Sequence, residues 1–535
     1  MKQNYDAIII GAGHNGLTCA AYLAAAGLQV LMLERRGVVG GAAVTEEFFP
    51  GFRNSTASYT VSLLAPEVIR DLRLAEHGLR IIERPYSNFL PLPDAGALRV
   101  GGGLAATQAE VARFSRRDAE RLPDYYARLE AVAEVLRRLA RETPPNVGGG
   151  LTDWLRAGLL GKKLVDLPMA AKRDALELFT KSAGELLDAW FESAPIKAAF
   201  GFDAVVGNYA SPYAPGTAYV LLHHVFGEVN GKRGIWGHAL GGMGAITEAM
   251  AKEARARGVT IVLEAPVAKV LVREGRARGV VLADGREFSA PRVIANVNPK
   301  LLCLEMIEPA ALPADFLQRM RHYACGSGTL RINVALAQLP DFRCAPGTVA
   351  APHHRSGIIM APSLAYLERA YDDARHEGFA REPIVEMLLP SIIDDHLAPP
   401  GQHVASLFCQ HFAPTLPQGR DWDREKAAAV ERVFAVVEAQ APNFRAALLG
   451  YRALTPLDLE REFGLLGGDI FHGRLSLDQL FSTRPVLGHA NHRLPLQGLY
   501  LCGSGAHPGG GVSGLPGRNA AREILRDHSW WRRRP

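Results

Sequence analysis

The 535-residue chain contains no C-x-x-C pair. Its six cysteines, Cys19, Cys303, Cys325, Cys344, Cys409 and Cys502, are scattered. That pattern excludes a redox dithiol and the common zinc sites, and it suits a reducing compartment where thiols stay free. No metal site is expected. No uninterrupted apolar run reaches the ~18 residues of a membrane-spanning helix, so the protein is expected in the cytoplasm, at most peripheral to a membrane. Net charge is only +5, part of it from Arg532, Arg533 and Arg534 at the end of the chain, which makes no basic face for nucleic acid. Lys2 and the apolar run after it imitate a signal peptide, but cleavage near Ala24 would remove the glycine turn that follows.

That turn lies within residues 6–34, DAIIIGAGHNGLTCAAYLAAAGLQVLMLE. Ala7 to Ile10 read as a buried parallel strand, and Gly11, Gly13 and Gly16 complete G-x-G-x-x-G directly after it. The three glycines serve a tight turn, close approach of a pyrophosphate and close packing of helix on strand. Leu17 to Gly27 carry the helix, whose N-terminus favours phosphate, with Gly27 as its cap. Gln29 to Leu33 form a second strand, and Glu34 at its end is placed to bond a ribose hydroxyl. His14 and Asn15 lie inside the turn and are counted with the cofactor-contacting residues. Just downstream, Arg35, Arg36, Gly40, Gly41 and Ala42 offer a second place for backbone to pass close to a ligand. An arginine after the acid would also suit the 2′-phosphate of NADP. Only one complete fingerprint is present, however, so a second site for NAD(P)H is not expected.

Further along, Gln108 to Arg141 and Leu151 to Glu192 have helical spacing, separated by the break TPPNVGGG at 143–150. A basic amphipathic face in the second stretch also suits a membrane surface. From Gly237 a glycine turn is followed by a helix from about Ala245 to Arg257. Strands are expected at Val259–Leu263, Val267–Arg273, Gly279–Leu282 and Arg292–Ala295. Residues 301–484 are less periodic, with strands at Thr329–Leu336 and Pro383–Leu389 and a helix near Arg424–Glu438. The last signature, residues 498–525, reads as a strand at Leu499–Cys502, a flexible turn from Gly503 to Gly511 and a helix from Gly514 to Leu525. The eight-residue tail HSWWRRRP beyond it reads as a short disordered terminus.

Three segments, GAGHNGLTCAAYLAAAGLQVLMLERRGVVGGA, GGMGAITEAMAKEA and LYLCGSGAHPGGGVSGLPG, together resemble the FAD-dependent phytoene desaturase-like oxidoreductases. The pattern is nearest to their pyridine nucleotide-disulfide oxidoreductase domain-containing branch, although the missing C-x-x-C contradicts disulfide chemistry. The resemblance implies an α/β fold, with a discontinuous Rossmann-like FAD-binding domain of the glutathione reductase or amine oxidase type, an α+β substrate domain and a helical insertion. The expected division assigns 1–105, 231–305 and 485–535 to FAD, 106–230 to the insertion and 306–484 to the substrate domain. On this resemblance Val267 meets the adenine side by its backbone, and Gly503, Gly511 and Val512 lie beside the flavin. Related carotenoid desaturases carry an arginine where this chain has Ala42, so its flavin contacts differ there.

With FAD carrying the hard chemistry, the protein has to bind it, orient a substrate C–H and exclude water. His507, in the flavin-side turn, is the first choice for any proton transfer, followed by Tyr59, His223, His224 and Arg331. The leading expectation is hydride transfer between flavin N5 and a C–C or C=C unit of a small apolar substrate of isoprenoid or lipid type. The electron acceptor is then oxygen, a quinone or a protein. A flavin amine oxidase and an FAD-bound regulatory protein with little turnover are the alternatives.

Overall fold

Ala7–Ile10 is buried at every position, and a strand buried on both faces belongs in the middle of a parallel sheet. In the computed structural model, which describes residues 5–532 apart from 95 and 147, it has that place. Val30–Leu33 pairs in parallel on one side and Val293–Ala295 on the other, with Thr260–Val262 and Leu499–Leu501 at the edges. Alternation divides the apolar side chains between two faces. Ala7, Ile9, Val30 and Met32 pack under helices His14–Ala25, Gly244–Ala256 and Leu515–Arg532. Ile8, Ile10, Leu31 and Leu33 pack on the opposite face against the antiparallel ribbon Val267–Arg273, Arg276–Leu282 and Glu287–Ser289. The helix after the glycine turn starts at His14, three residues before the expected Leu17, because Gly13 is its N-cap.

A second, seven-stranded sheet runs in the order Leu448–Leu454, Leu330–Leu336, His403–Phe412, Phe379–Leu388, Gly357–Met360, Tyr86–Pro91, Ala97–Gly101. Its one parallel contact joins Gly357–Met360 to Tyr86–Pro91. Tyr86 to Gly101, grouped above with the first FAD segment, therefore pairs into this sheet instead. One face is covered by Trp422–Gln440. The other carries the helical layer that includes Arg116–Ala140 and Ala194–Val205. Buried polar links tie the seven-stranded sheet to the antiparallel hairpin Thr45–Phe49 and Phe52–Ser55: Asn54 donates to Asn333 at 2.9 Å, and Asn333 in turn to the Ser55 carbonyl at 3.0 Å.

Two helical expectations change. The stretch 108–141 is two helices, Leu104–Ala112 and Arg116–Ala140, because Ser115 caps the second by accepting the Asp118 N–H at 3.1 Å. The C-terminal helix runs on to Arg532, through most of the segment read as a loose tail. Its last turns are tied down by Arg493, which bonds both Glu523 and Asp527, and by the Tyr500 hydroxyl on Asp527. Among the described residues no helix is long and apolar enough to cross a membrane.

Candidate active site

Helix geometry leaves the N–H groups of Gly13, His14, Asn15 and Gly16 without intrahelical acceptors. No side chain caps them, and the first helical bond runs from Leu17 N–H to the Gly13 carbonyl at 3.0 Å. The turn is shaped for this. Gly11 has φ +94°, and a Cβ on Gly16 would lie 2.4 Å from the Gly11 carbonyl oxygen. Glu34 is buried at the end of the next strand, one carboxylate oxygen accepting the Ala12 N–H at 2.8 Å and the other the Arg36 N–H at 2.9 Å. These bonds fix the carboxylate and leave each oxygen a lone pair for a hydroxyl. The second glycine pair is stitched to the first turn, Gly40 N–H donating to the Ala12 carbonyl at 2.9 Å.

A cavity of about 470 Å³ opens over these groups. At one end Gly11, Gly13, His14, Glu34 and Val267 line it, with Arg35, Arg36, Gly41 and Ala42 alongside. At the other end Gly511 and Val512 line it. The structure thus brings together residues from the start, middle and end of the chain. Asn15, Gly16, Gly40 and Gly503 lie just behind the wall, where Asn15 donates to the cavity-lining Ser504 at 3.2 Å and Gly503 abuts Asn296. Arg35 reaches the Arg461 carbonyl, while Arg36 pairs with Glu46 at 2.7 Å and lies over the Phe463 ring, its Nη1 buried without a hydrogen-bond partner among the described residues. Burial lowers the pKa of Arg35.

Several buried groups at this cavity have unspent hydrogen-bonding capacity, as a site built for a polar ligand requires. His14 Nε2, Asn15 Oδ1 and His472 Nδ1 have no partner among the described residues. Burial holds His14 at about 3 and His472 at about 4, so both rings are neutral. With the open helix N-terminus, the fixed Glu34 carboxylate and the glycine turn, these residues fit a dinucleotide cofactor.

Beyond Gly511 the walls become apolar and aromatic: Leu63, Val206, Trp236, Phe408, Ile470 and Phe471. Tyr59 stacks on Phe408, ring centroids 5.1 Å apart, and its hydroxyl donates to Glu386 at 2.5 Å. Burial and the neighbouring Glu386 push the Tyr59 hydroxyl far above its ordinary range. Arg331 lies over the Tyr59 ring at 4.5 Å and donates to the Leu407 carbonyl and Ser406 hydroxyl, which marks it as a scaffold for Tyr59. His224 donates through Nδ1 to the Val220 carbonyl at 2.8 Å. His223 differs from all of these. Its ring is buried, lines the cavity, and has neither nitrogen bonded among the described residues; burial holds it neutral. A Cβ on Gly511 would lie 3.5 Å from its Nε2.

His507 is corrected by the structure. It does not line this cavity. Its Nε2–H donates to the Leu139 carbonyl at 2.9 Å, its ring meets Phe481 edge-on, and burial lowers it to about 3. Ser504 and Gly511 of the same turn reach the site, whereas this side chain lies in the helical layer. Residues not foreseen are Asn296, which donates to the Gly11 carbonyl at 3.2 Å, and His472. Asn296 had a readable signal, since it directly follows a central strand at the carboxyl edge where such sheets bind ligands. His472 comes from a stretch without periodicity. The one cluster of metal-type ligands among the described residues, Asp394 with Asp395 and His396, has Asp394 engaged with His238 at 3.0 Å and the Gly241 N–H at 2.7 Å.

The family model for flavin containing amine oxidoreductase matches residues 16–330. Pyridine nucleotide-disulfide oxidoreductase domain-containing protein 2 of Rattus norvegicus is 43% identical, over 98% of this chain and 94% of that one. The lycopene-forming phytoene desaturase of Pantoea ananas is 26% identical, over 95% and 96%. Among solved structures, putrescine oxidase bound to putrescine superimposes with a TM-score of 0.60 at 16% identity, covering 99% of both chains.

Proposed function

Since the chain belongs to the flavin containing amine oxidoreductases, in their phytoene desaturase-like branch, and is an FAD-dependent oxidoreductase, we propose that it acts on a C–C or C=C unit of an apolar substrate of isoprenoid or lipid type. The observation that carries this reading is the lining beyond Gly511. The only acidic residues that line the cavity among those described are Glu34 and Glu305, and both belong to the end with the glycine turn and Val267. An ammonium substrate needs a carboxylate or an open pair of aromatic faces. Here Tyr59 and Phe408 lie on each other and the Tyr59 proton is committed to Glu386.

In this reading the N-terminal turn, Glu34 and His14 hold the ADP half of FAD, and Gly511 and Val512 border its ring. Bound FAD supplies the hydride acceptor or donor. The chain's own part is to press an apolar substrate against that ring between Leu63, Trp236 and Phe471, and to exclude water. Where a proton moves, His223 replaces His507 as the group to carry it, because its neutral ring lines the cavity and neither of its nitrogens is committed to a partner among the described residues. The reducing equivalents leave to oxygen, a quinone or a protein. The six cysteines are all unpaired, in keeping with the cytoplasmic location that forms part of this proposal.

Anaerobic mixing tests it. An isoprenoid hydrocarbon or long-chain acyl probe in detergent is expected to change the redox state of the bound flavin, while putrescine is not. Bleaching by putrescine alone would replace the reading with amine oxidation.

A further inference from the structure

Large apolar side chains left in water are unremarkable singly and informative when they cluster. Seven of the fifteen that are exposed among the described residues fall within residues 151–176, each 60–77% exposed. On helix Leu151–Val165 they are Leu151, Trp154, Leu155, Leu159 and Val165, a spacing that puts them on one face together with the exposed Gly158. That face is the outer one. Leu160, from the opposite side of the helix, lines an apolar chamber of the helical layer with Leu167, Ala171 and Ala175. The helix thus turns an apolar stripe toward solvent, the reverse of an ordinary surface helix. Helix Met169–Thr180 extends the stripe with Met169 and Leu176, seven residues and two turns apart.

The charges around this stripe are sorted by sign. Asp174 and Glu177 turn inward to Arg128 of helix Arg116–Ala140, the first at 3.0 Å, and Asp153 accepts the Asn146 N–H at 3.3 Å and lies 3.8 Å from Arg156. Lys162 and Arg173 are exposed and have no ion-pair partner among the described residues. Lys162 stands between Leu159 and Val165, and Arg173 between Met169 and Leu176, so each cation lies within the stripe. Asp166, in the turn between the helices, is the one exposed acid of this stretch among those described. Tryptophan, leucine and isolated cations on one helix face are the composition that suits the boundary between lipid headgroups and acyl chains. The centre of a protein interface excludes lysine, and a second copy laid on the same face would bring its own Lys162 and Arg173 to the first pair. At 15 and 12 residues the helices are about 22 Å and 18 Å long, too short for the ~30 Å core of a bilayer.

We propose that helices Leu151–Val165 and Met169–Thr180 form a docking surface for an anionic lipid bilayer, on which they lie flat, with Trp154, Leu155 and Leu159 entering the acyl boundary and Lys162 and Arg173 meeting the negative headgroups. Both contributions are needed, since a modest apolar stripe holds a protein at a membrane reversibly and the cations add affinity only where the surface is anionic. The surface belongs to the helical layer, not to the parallel sheet that carries the glycine turn, so docking leaves the cofactor end of the flavin cavity facing away from these helices' own contacts.

Sedimentation of the FAD-loaded full chain with vesicles tests the assignment, using phosphatidylcholine alone and a two-to-one mixture of phosphatidylcholine with phosphatidylserine. The chain is expected to sediment with the mixed vesicles and to be released from them as salt is raised. Lys162→Ala combined with Arg173→Ala should weaken binding to the mixed vesicles about thirtyfold, the factor for about 1 kcal/mol at each of two cations. Trp154→Ser combined with Leu159→Ser should abolish it, with flavin content and melting temperature unchanged because both side chains are exposed. Failure to sediment with the mixed vesicles overturns the proposal, as does binding that neither pair of substitutions reduces. Sedimentation velocity without lipid supplies the remaining outcome: a dimer that the serine variant dissociates would assign the face to a second copy and overturn the membrane surface. None of these measurements reads turnover, so the redox chemistry proposed for the flavin cavity stands or falls separately.

Discussion

His223 is the residue at which a structural and a functional role predict opposite results. Two buried ring nitrogens without partners cost about 1–3 kcal/mol each, so a purely structural histidine at this position would be a poor choice for the fold. His223→Phe is expected to melt at a higher temperature than the parent while losing about 10²-fold or more in the rate of flavin reduction, the usual contribution of a positioned proton carrier. Stopped-flow reduction alongside a thermal melt reads both; a faster or unchanged rate would remove His223 from the chemistry. Gly16 is sensitive for a different reason. With a Cβ 2.4 Å from the Gly11 carbonyl oxygen, Gly16→Val has to push the helix off the strand, and the purified variant is expected to lack the flavin absorbance band. Retained stoichiometric flavin would contradict the role given to the turn.

Among the elements, the strand, glycine turn, helix and second strand of residues 7–33 were readable because each carries its own local signal: an apolar run, three spaced glycines, and an acid at the strand's end. The ribbon strand Val267–Arg273 was readable for the same reason. What escaped was decided by distant partners. Nothing near Asn88 and Phe89 announces that they pair with Gly357 and Ile358, more than 250 positions away, and nothing in the tail announces Arg493. That arginine predicts the behaviour of the C-terminal helix. It spans Glu523, almost wholly buried, and Asp527, and loss of one partner from such a group costs about 3–5 kcal/mol when fully buried. Arg493 is 29% exposed on its side chain, so about 2 kcal/mol is expected for Arg493→Ala. Faster amide exchange should be confined to the last turns of that helix; uniform loss of protection across the parallel sheet would show that the contact matters globally. The candidate site followed the same division. Backbone contributions from glycine turns were legible, whereas the direction of a side chain such as His507 depended on the helical layer packed beside it.

For the whole molecule, burial of neutral histidines sets the pH response. His14, His411 and His507 are held at about 3 and His224, His472 and His492 at about 4, in each case chiefly by burial. A histidine whose pKa is lower in the folded state gives stability that is complete above its unfolded value near 6.5 and lost as pH falls. Each adds a slope of up to about 1.4 kcal/mol per pH unit between its folded and unfolded values. Thermal melts are thus expected to drop steeply from pH 6.5 to pH 5, with proton uptake on unfolding in that range. A flat profile would mean that these rings are already charged in the native state. The parallel sheet has its own consequence for biosynthesis. Its strands come from residues 7–33, 260–295 and 499–501, so a nascent chain carries Val293–Ala295 with an unpaired edge through roughly two hundred further residues of translation. Only when Leu499–Leu501 leaves the ribosome is that edge covered and the turn that carries the cavity-lining Gly511 and Val512 put in place. On the proposed reading FAD is therefore expected to bind only after this strand has emerged, and a ribosome stalled shortly before Gly498 should display a chain that chaperones recognise and flavin does not.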